Sequence, residues 1–236
     1  MKMDHQVVSH DEWLVARRQL LEQEKEFTRR RDQLSQTRRD LPWRKLEKAY
    51  VFDGPNGEAA LADLFEGRNQ LVVYHFMFGP DWKTGCKSCS FFADNFDGIL
   101  DHLKQRDVSF AAISRGPLAT LESFKKRMGW TFPWYSAGRS DFNFDFAVSF
   151  AKSAVENAER CYNFDTLPPQ VEEMPGISVF YKDSDGTVFH TYSCYARGLD
   201  MLNTAYHYLD LVPKGRDEDA LPSTMSWLKL RDEYAN

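Results

Sequence analysis

Between Gln70 and Leu103 the chain reads QLVVYHFMFGPDWKTGCKSCSFFADNFDGILDHL, and no other stretch restricts the fold as much. QLVVYHFMF is a continuous apolar run of strand length, the pattern of a strand buried on both faces of a sheet. Beyond it Phe92, Phe96, Ile99, Leu100 and Leu103 recur at i, i+4, i+7, i+8 and i+11, which predicts one helix with a single buried face. Cys86 and Cys89 lie at the junction of the two, three positions apart.

The remaining punctuation continues the alternation. DVSFAAIS, ending at Ser114, reads as the next strand, and GPLATLESFKKRMG as a helix with Pro117 near its first position and Gly129 at its end. Upstream, KAYVFDGPNGEAALADLF reads as a strand, a Pro-Asn-Gly turn and a short helical turn at Leu61 to Phe65. Downstream come an aromatic, irregular stretch, WTFPWYSAGRSDFNFDFAVSF, and a polar segment to about Glu173. ISVFYKDSDGTVFHTY then predicts two strands joined across Asp183 to Gly186, followed by a helix through Leu199, Leu202, Tyr206 and Leu209. Ahead of all this SHDE supplies a capping box at Ser9 and Glu12, and Trp13, Leu20, Phe27 and Leu34 fall seven apart on a narrow apolar stripe. The expected organisation is a helical arm at 1–45, a domain at 46–212 with an insertion at about 131–173, and a charged tail at 213–236 with one apolar anchor around Trp227.

Strands alternating with helices imply an α/β fold with a parallel core, to which the late hairpin adds an antiparallel edge. This order resembles the thioredoxin fold, a central mixed sheet flanked by helices. The FDGPNGEAALADLF opening and the long connection before the last hairpin resemble its peroxiredoxin-like branch.

A net charge of -5 and a pI near 5.7 argue against a nucleic-acid partner or an anionic membrane surface, since both require a basic face. The arginines of EFTRRRDQLSQTRRD are interleaved with Glu24, Glu26, Asp32 and Asp40, the pattern of a solvated helix face. LVVYHFMF falls far short of the ~20 residues that span a bilayer, and the N-terminus has no signal-peptide core, so a cytoplasmic location is expected. In a reducing compartment a C-x-x-C pair is more often catalytic or metal-binding than a staple.

Placed between a buried strand and the first turn of a helix, Cys86 meets unpaired N–H groups that favour its thiolate. Cys86 is then the expected nucleophile and Cys89, one turn inward, the resolving thiol, with no cofactor beyond a redox-active Cys86–Cys89 disulfide. Lys87 adds a cation between them. A metal site would need further ligands: Cys161 is solitary, and His190 and Cys194 sit in a strand pattern where i and i+4 are ~13 Å apart. No metal is expected. His75, in the strand leading to the pair, is the candidate proton acceptor for Cys89, against the plainer reading of a hydrogen-bonded core histidine. A peroxidase pattern P-x-x-x-T-x-x-C finds Pro80 and Thr84 in place but Cys86 one residue early. A copper-chaperone pattern fails on its cysteine spacing and on Met174 and Pro175, which stand where it needs a histidine.

FMFGPDWKTGCKSCSFFADNFDG, GWTFPWYSAGRSDFNFDFAVSF, PGISVFYKD, VFHTYSCYARGLDMLNTAYHYLDLVPKGRDE and the N-terminal VVSHDEWLVARRQLLEQEKEFTRRRDQL closely resemble the thioredoxin-like family catalogued as domain of unknown function 899, from about Val7 to about Glu218. The resemblance implies a thioredoxin-like fold with an N-terminal helical arm and fixes no substrate. In that family proline is usual where this chain has Lys87, and threonine where it has Cys194. The fold resemblance also implies that Pro175, just before a strand, is a cis proline facing the active cysteine.

Together these readings predict a thiol-disulfide oxidoreductase with Cys86, Cys89, Pro175 and His75 in the catalytic set and Trp82, Lys87 and Met174 at the substrate. Its partner would be a protein or small-molecule thiol or disulfide, with self-association through the N-terminal helix. Two alternatives stay open: a thioredoxin-fold binding protein without turnover, using the FPWYSAGRSDFNFDF surface, and a thiol peroxidase-like enzyme.

Overall fold

A computed structural model of the chain describes residues 5–234. The chain divides into two units, Met1–Pro42 and Trp43–Asn236. The first is a helix, α1 (His10–Arg39), opened by a capping box in which Glu12 N–H donates to Ser9 Oγ at 3.3 Å and Ser9 N–H to Glu12 Oε2 at 2.9 Å. Asp11 and Glu12 in its first turn and Arg38 and Arg39 in its last complement the helix dipole. Arg29 and Arg30 both pair with Glu26, and Arg17 with Glu24. Trp13, Leu20, Phe27 and Leu34 are exposed.

The second unit holds strands β1 (Arg44–Lys45), β2 (Val51–Gly54), β3 (Gly57–Ala60), β4 (Gln70–His75), β5 (Val108–Ser114), β6 (Trp134–Ser136), β7 (Gly176–Lys182) and β8 (Val188–Tyr195). Its helices are α2 (Lys87–Phe96), α3 (Leu100–Lys104), α4 (Leu118–Met128), α5 (Phe142–Asp145), α6 (Lys152–Glu156) and α7 (Thr204–Leu209). The strands form one sheet in the order β1-β8-β7-β4-β5-β6-β2-β3. β4 is parallel to β5, with Val73 opposite Ala111, and antiparallel to β7, with Val73 opposite Ser178. α2 makes the crossover from β4 to β5, β7 and β8 form the antiparallel hairpin, and helical turns follow β8. The β8-β7-β4-β5 core with these connections is the thioredoxin-like fold.

Side chains on the central strands alternate between two cores with the period of two that a strand imposes. Tyr74, Phe76 and Ala112 lie in the cluster under α2 and α4, with Cys89, Phe92, Phe96 and Phe124. Leu71, Val73, Ala111 and Ile113 lie in the other, with Phe52, Phe142, Phe146 and Phe180.

Three elements depart from expectation. The helix predicted through Leu103 is broken, because Asp97 turns its carboxylate to the N–H groups of Thr131 (2.8 Å) and Phe132 (3.0 Å), and a 3-10 turn at Asp97–Ile99 separates α2 from α3. The helix predicted through Leu209 is a 3-10 segment, Ala196–Leu202, and then α7, which Asn203 caps by accepting from Tyr206 N–H. The aromatic stretch contributes β6, parallel to β5, and α5, both too short to show a period.

Candidate active site

The chain leaves β4 through a tight loop to the cysteines. At Gly85 a Cβ would lie 2.7 Å from the rings of both Phe76 and Phe124, so only glycine lets the backbone pass there. Cys86 follows as the N-cap of α2 and is tied to the β4 end by its own N–H donating to the Met77 carbonyl at 3.2 Å. Met77 N–H in turn donates to Cys89 Sγ at 3.4 Å. This reciprocal pair holds both sulfurs against the strand from which the loop departs.

The two thiols have opposite electrostatics. Cys86 is partly exposed, and its pKa is lowered to about 6, first by the Cys89 thiol, then by the N–H groups of Cys89 and Ser88 and the Ser88 hydroxyl, against burial. The two N–H groups are unsatisfied donors of a helix start, aimed at an anion. Cys89 is 1% exposed, and burial together with the neighbouring Cys86 pushes its thiol well above the ordinary range. Lys87 is exposed and is not among these donors. Neither cysteine is in a disulfide in this structure.

Both cysteines line a cavity of about 1140 Å³. Tyr74, Met77, Phe92, Met174 and Pro175 line it beside the cysteines, and Arg197, Arg216, Glu218 and Met225, all from the segment after β8, complete its wall. That wall is pinned. Glu218 accepts from Tyr206 Oη at 2.8 Å, Met225 N–H at 3.0 Å and Trp227 Nε1 at 2.6 Å. Burial opposes its ionisation, and these donors outweigh burial and hold its carboxyl below the ordinary range. Arg216 lies over the Tyr206 ring at 3.9 Å and grips Asp210 through Nε and Nη2.

Of the residues singled out in the sequence, Cys86, Cys89, Met174 and Pro175 therefore meet at this cavity. Trp82 packs beneath Gly79 and is not one of the cavity walls, nor is Lys87. His75 lies on the other face of the sheet. Its ring is 5.6 Å from Phe142 and 6.0 Å from Phe146, and Nε2 meets Ser178 Oγ at 2.8 Å. Burial lowers its pKa to about 3. The expectation that it serves Cys89 is corrected by strand alternation: Tyr74, one residue earlier, faces the cysteines. His190 joins the same buried chain through Ser193 Oγ at 2.7 Å, and Ser193 meets Ser178 at 2.8 Å. The Met174–Pro175 bond is trans, against the expected cis form. Met174 N–H donates to the Val148 carbonyl and Ser149 bridges Glu173, so an extended trans segment runs straight into β7. Tyr162 Oη donates to the Pro175 carbonyl and accepts from Ala196 N–H at 2.9 Å.

Composition and spacing missed Tyr74, Ser88, Tyr162 and the tail. Alternation along β4 puts Tyr74 and His75 on opposite faces without saying which face holds the cysteines; the tail carried only its Trp227 anchor. Among the described residues no group of three or more His, Cys, Asp or Glu is placed to hold a metal ion.

Fold and cysteine pair together define a thioredoxin-like protein with a C-x-x-C motif at the start of the helix that follows its central strand. The chain belongs to the family described as bacterial protein of unknown function (DUF899), whose model matches residues 2–234. Among solved structures it is similar to the peroxidoxin BcpB from Mycobacterium tuberculosis, at 14% identity and a TM-score of 0.45 over 66% of this chain and 90% of that one. It is also similar to peroxiredoxin Q from Xanthomonas campestris, at 15% identity and a TM-score of 0.44 over 66% of this chain and 87% of that one. A third is the mitochondrial 2-Cys peroxiredoxin from Plasmodium falciparum, at 12% identity and a TM-score of 0.41 over 71% and 93% of the two chains. No curated protein matches the chain.

Proposed function

We propose that the protein is a thiol-disulfide oxidoreductase in which Cys86 is the attacking thiolate and Cys89 the resolving thiol. The observation that carries this reading is the split between the two sulfurs: Cys86 ionises at about 6 at a helix start beside an open cavity, and Cys89 is buried and held protonated. A thiolate present at neutral pH attacks one sulfur of a disulfide and expels the other as a thiolate. Cys89 then attacks Cys86 Sγ, closes the Cys86–Cys89 disulfide and releases the second half of the substrate. Met174 and Pro175 form the adjacent wall and are the proposed substrate contacts; Trp82 and Lys87 have less to support them.

The reading includes a protein or small-molecule thiol or disulfide as partner and a cytoplasmic setting. Among the described residues no helix is long and apolar enough to cross a membrane. Self-association through α1 is part of the same proposal and is supported by its exposed Trp13, Leu20, Phe27 and Leu34.

Equilibrating the protein in glutathione buffers, with thiol state read by mass spectrometry, tests it. The expected result is a reversible Cys86–Cys89 couple whose disulfide reductase activity is abolished by Cys86→Ser. Cysteines that never form a disulfide point to the binding protein instead, and hydrogen peroxide consumed in a Cys86-dependent way points to the peroxidase.

A further inference from the structure

Tyr74 is 1% exposed, and its ring is wedged among Phe76, Phe92 and Phe96, with centroids at 6.1, 6.2 and 5.2 Å. That packing fixes where its hydroxyl points. The hydroxyl is shut off from solvent, and no group meets it in good hydrogen-bond geometry. A buried donor left unmade is costly and calls for an explanation. Tyr74 lines the same cavity as both cysteines and belongs to the same packed cluster as Cys89. Besides burial, what raises its phenol above the ordinary range is Cys89, by its charge and as the nearest hydrogen-bond acceptor, and then Cys86; the Tyr74 hydroxyl in turn favours the Cys89 thiolate by the same contact. Tyr162 also senses Cys89, but its hydroxyl is already committed to Pro175 and Ala196. Tyr74 is the phenol with a donor to spare. The acceptor it lacks while Cys89 is a neutral thiol is the one that appears when Cys89 becomes an anion.

We propose that Tyr74 is a catalytic residue whose phenol O–H donates a hydrogen bond to Cys89 Sγ whenever that sulfur carries the negative charge of thiol-disulfide exchange. The inference rests on the oxidoreductase reading and deepens it. When an external thiolate attacks Cys86 Sγ of the Cys86–Cys89 disulfide, a bond forms between the incoming sulfur and Cys86. The Cys86–Cys89 bond breaks, and its electron pair leaves on Cys89. In a buried site that leaving group is poor, with Met77 N–H as its backbone donor; the phenol supplies a second donor and keeps its own proton. Cys89 later takes a proton from solvent through the cavity. In the opposite direction the same hydrogen bond holds the Cys89 thiolate while it attacks the mixed disulfide, and the expelled thiolate takes up the proton that Cys89 lost.

Tyr74→Phe removes one oxygen and no packing. In full-length protein the disulfide of this variant should be reduced by dithiothreitol about tenfold more slowly, the effect expected from losing one hydrogen bond to a charged group. In a Cys86→Ser background, thiolate absorbance at 240 nm should show Cys89 ionising about one pH unit higher with Phe than with Tyr. The thermal midpoint should be equal to wild type or higher, since an unpartnered donor is gone, whereas a purely structural role for Tyr74 lowers the midpoint and leaves the titration in place. A difluorotyrosine at position 74, a stronger donor, should move the titration the opposite way. Identical reduction rates and identical Cys89 titrations with Tyr and Phe overturn the inference alone. A disulfide that never forms in wild type overturns the oxidoreductase reading, and a catalytic role for Tyr74 with it.

Discussion

Cys86 loses its proton near pH 6 although burial opposes it, because four donors at the start of α2 face its sulfur: the Cys89 thiol, the N–H groups of Cys89 and Ser88, and the Ser88 hydroxyl. At pH 7 the thiolate then outnumbers the thiol about ten to one. Alkylation by iodoacetamide should therefore rise with pH to a midpoint near 6, and Ser88→Ala, which deletes one neutral donor, should move that midpoint up by roughly 0.4 to 1 pH unit. An unchanged midpoint would remove Ser88 from the site. Glu173, beside Met174, shows the reverse case. Burial raises its carboxyl to about 7 despite Ser149 at 2.6 Å and Arg115 at 2.9 Å. A carboxyl whose folded pKa lies above its unfolded value binds more protons when folded, so its contribution to stability is greatest below about 4.5 and declines as pH rises through 7. Glu173→Gln cannot titrate; the stability of wild type relative to this variant should fall by up to about 3 kcal/mol between pH 4 and pH 8. Denaturant melts of both proteins at the two pH values measure it, and parallel pH dependences would refute it.

The elements that carry the cysteines depend on where the chain can turn. Gly85 passes between the Phe76 and Phe124 rings with no room for a methyl group, and Cys86 takes its place on α2 from that turn. Gly85→Ala should cost about 1–3 kcal/mol, the range for overfilling a packed core, and slow Cys86 alkylation by displacing the sulfur from its donors. A melt unchanged within about 0.5 kcal/mol would mean that the two rings give way. Elements of this kind were legible in the sequence where apolar spacing is long and regular. β4, α2, β5, α4 and the β7–β8 hairpin all announce themselves, and Cys86 and Cys89 with them. β6 and α5 span three and four residues, too few to repeat any period. The break at Asp97 depends on N–H groups of Thr131 and Phe132, distant in sequence, which no local pattern reveals. His75 was legible as a residue of the central strand but not as a residue of one face. Only the pairing of β4 with β5 and β7 settles that Tyr74 and Phe76 face the cysteines while Val73 and His75 face Phe142 and Phe146.

At the scale of the Trp43–Asn236 unit, the sheet separates the face that carries the cysteine pair from the one packed around Phe142 and Phe146, and the C-terminal segment completes the former. A charged stretch with one apolar anchor gave no sign of this, because the wall is made by contacts across the fold rather than by composition. Phe91 of α2 meets the rings of Tyr206 and Trp227 at 5.4 and 5.7 Å, and Glu218 gathers donors from Tyr206, Met225 and Trp227. One carboxylate thus joins α7 to the tail and holds both over the cavity that contains Cys86. Removing it should release the wall without unfolding the sheet, since local segments open at free energies below the global one. Glu218→Ala loses three hydrogen bonds to a charged but partly exposed acceptor, a local cost of about 1–2 kcal/mol, which accelerates cleavage of the opened segment roughly tenfold. Limited trypsin digestion should accordingly cut after Lys214 and Arg216 about tenfold faster in the variant, while the midpoint of global unfolding stays close to wild type. Iodoacetamide should also reach Cys86 faster in the same variant, because that wall of its cavity is no longer held. Equal cleavage and alkylation rates in the two proteins would show that the wall stands without Glu218, and that the Phe91, Tyr206 and Trp227 rings alone keep the cavity closed on that side.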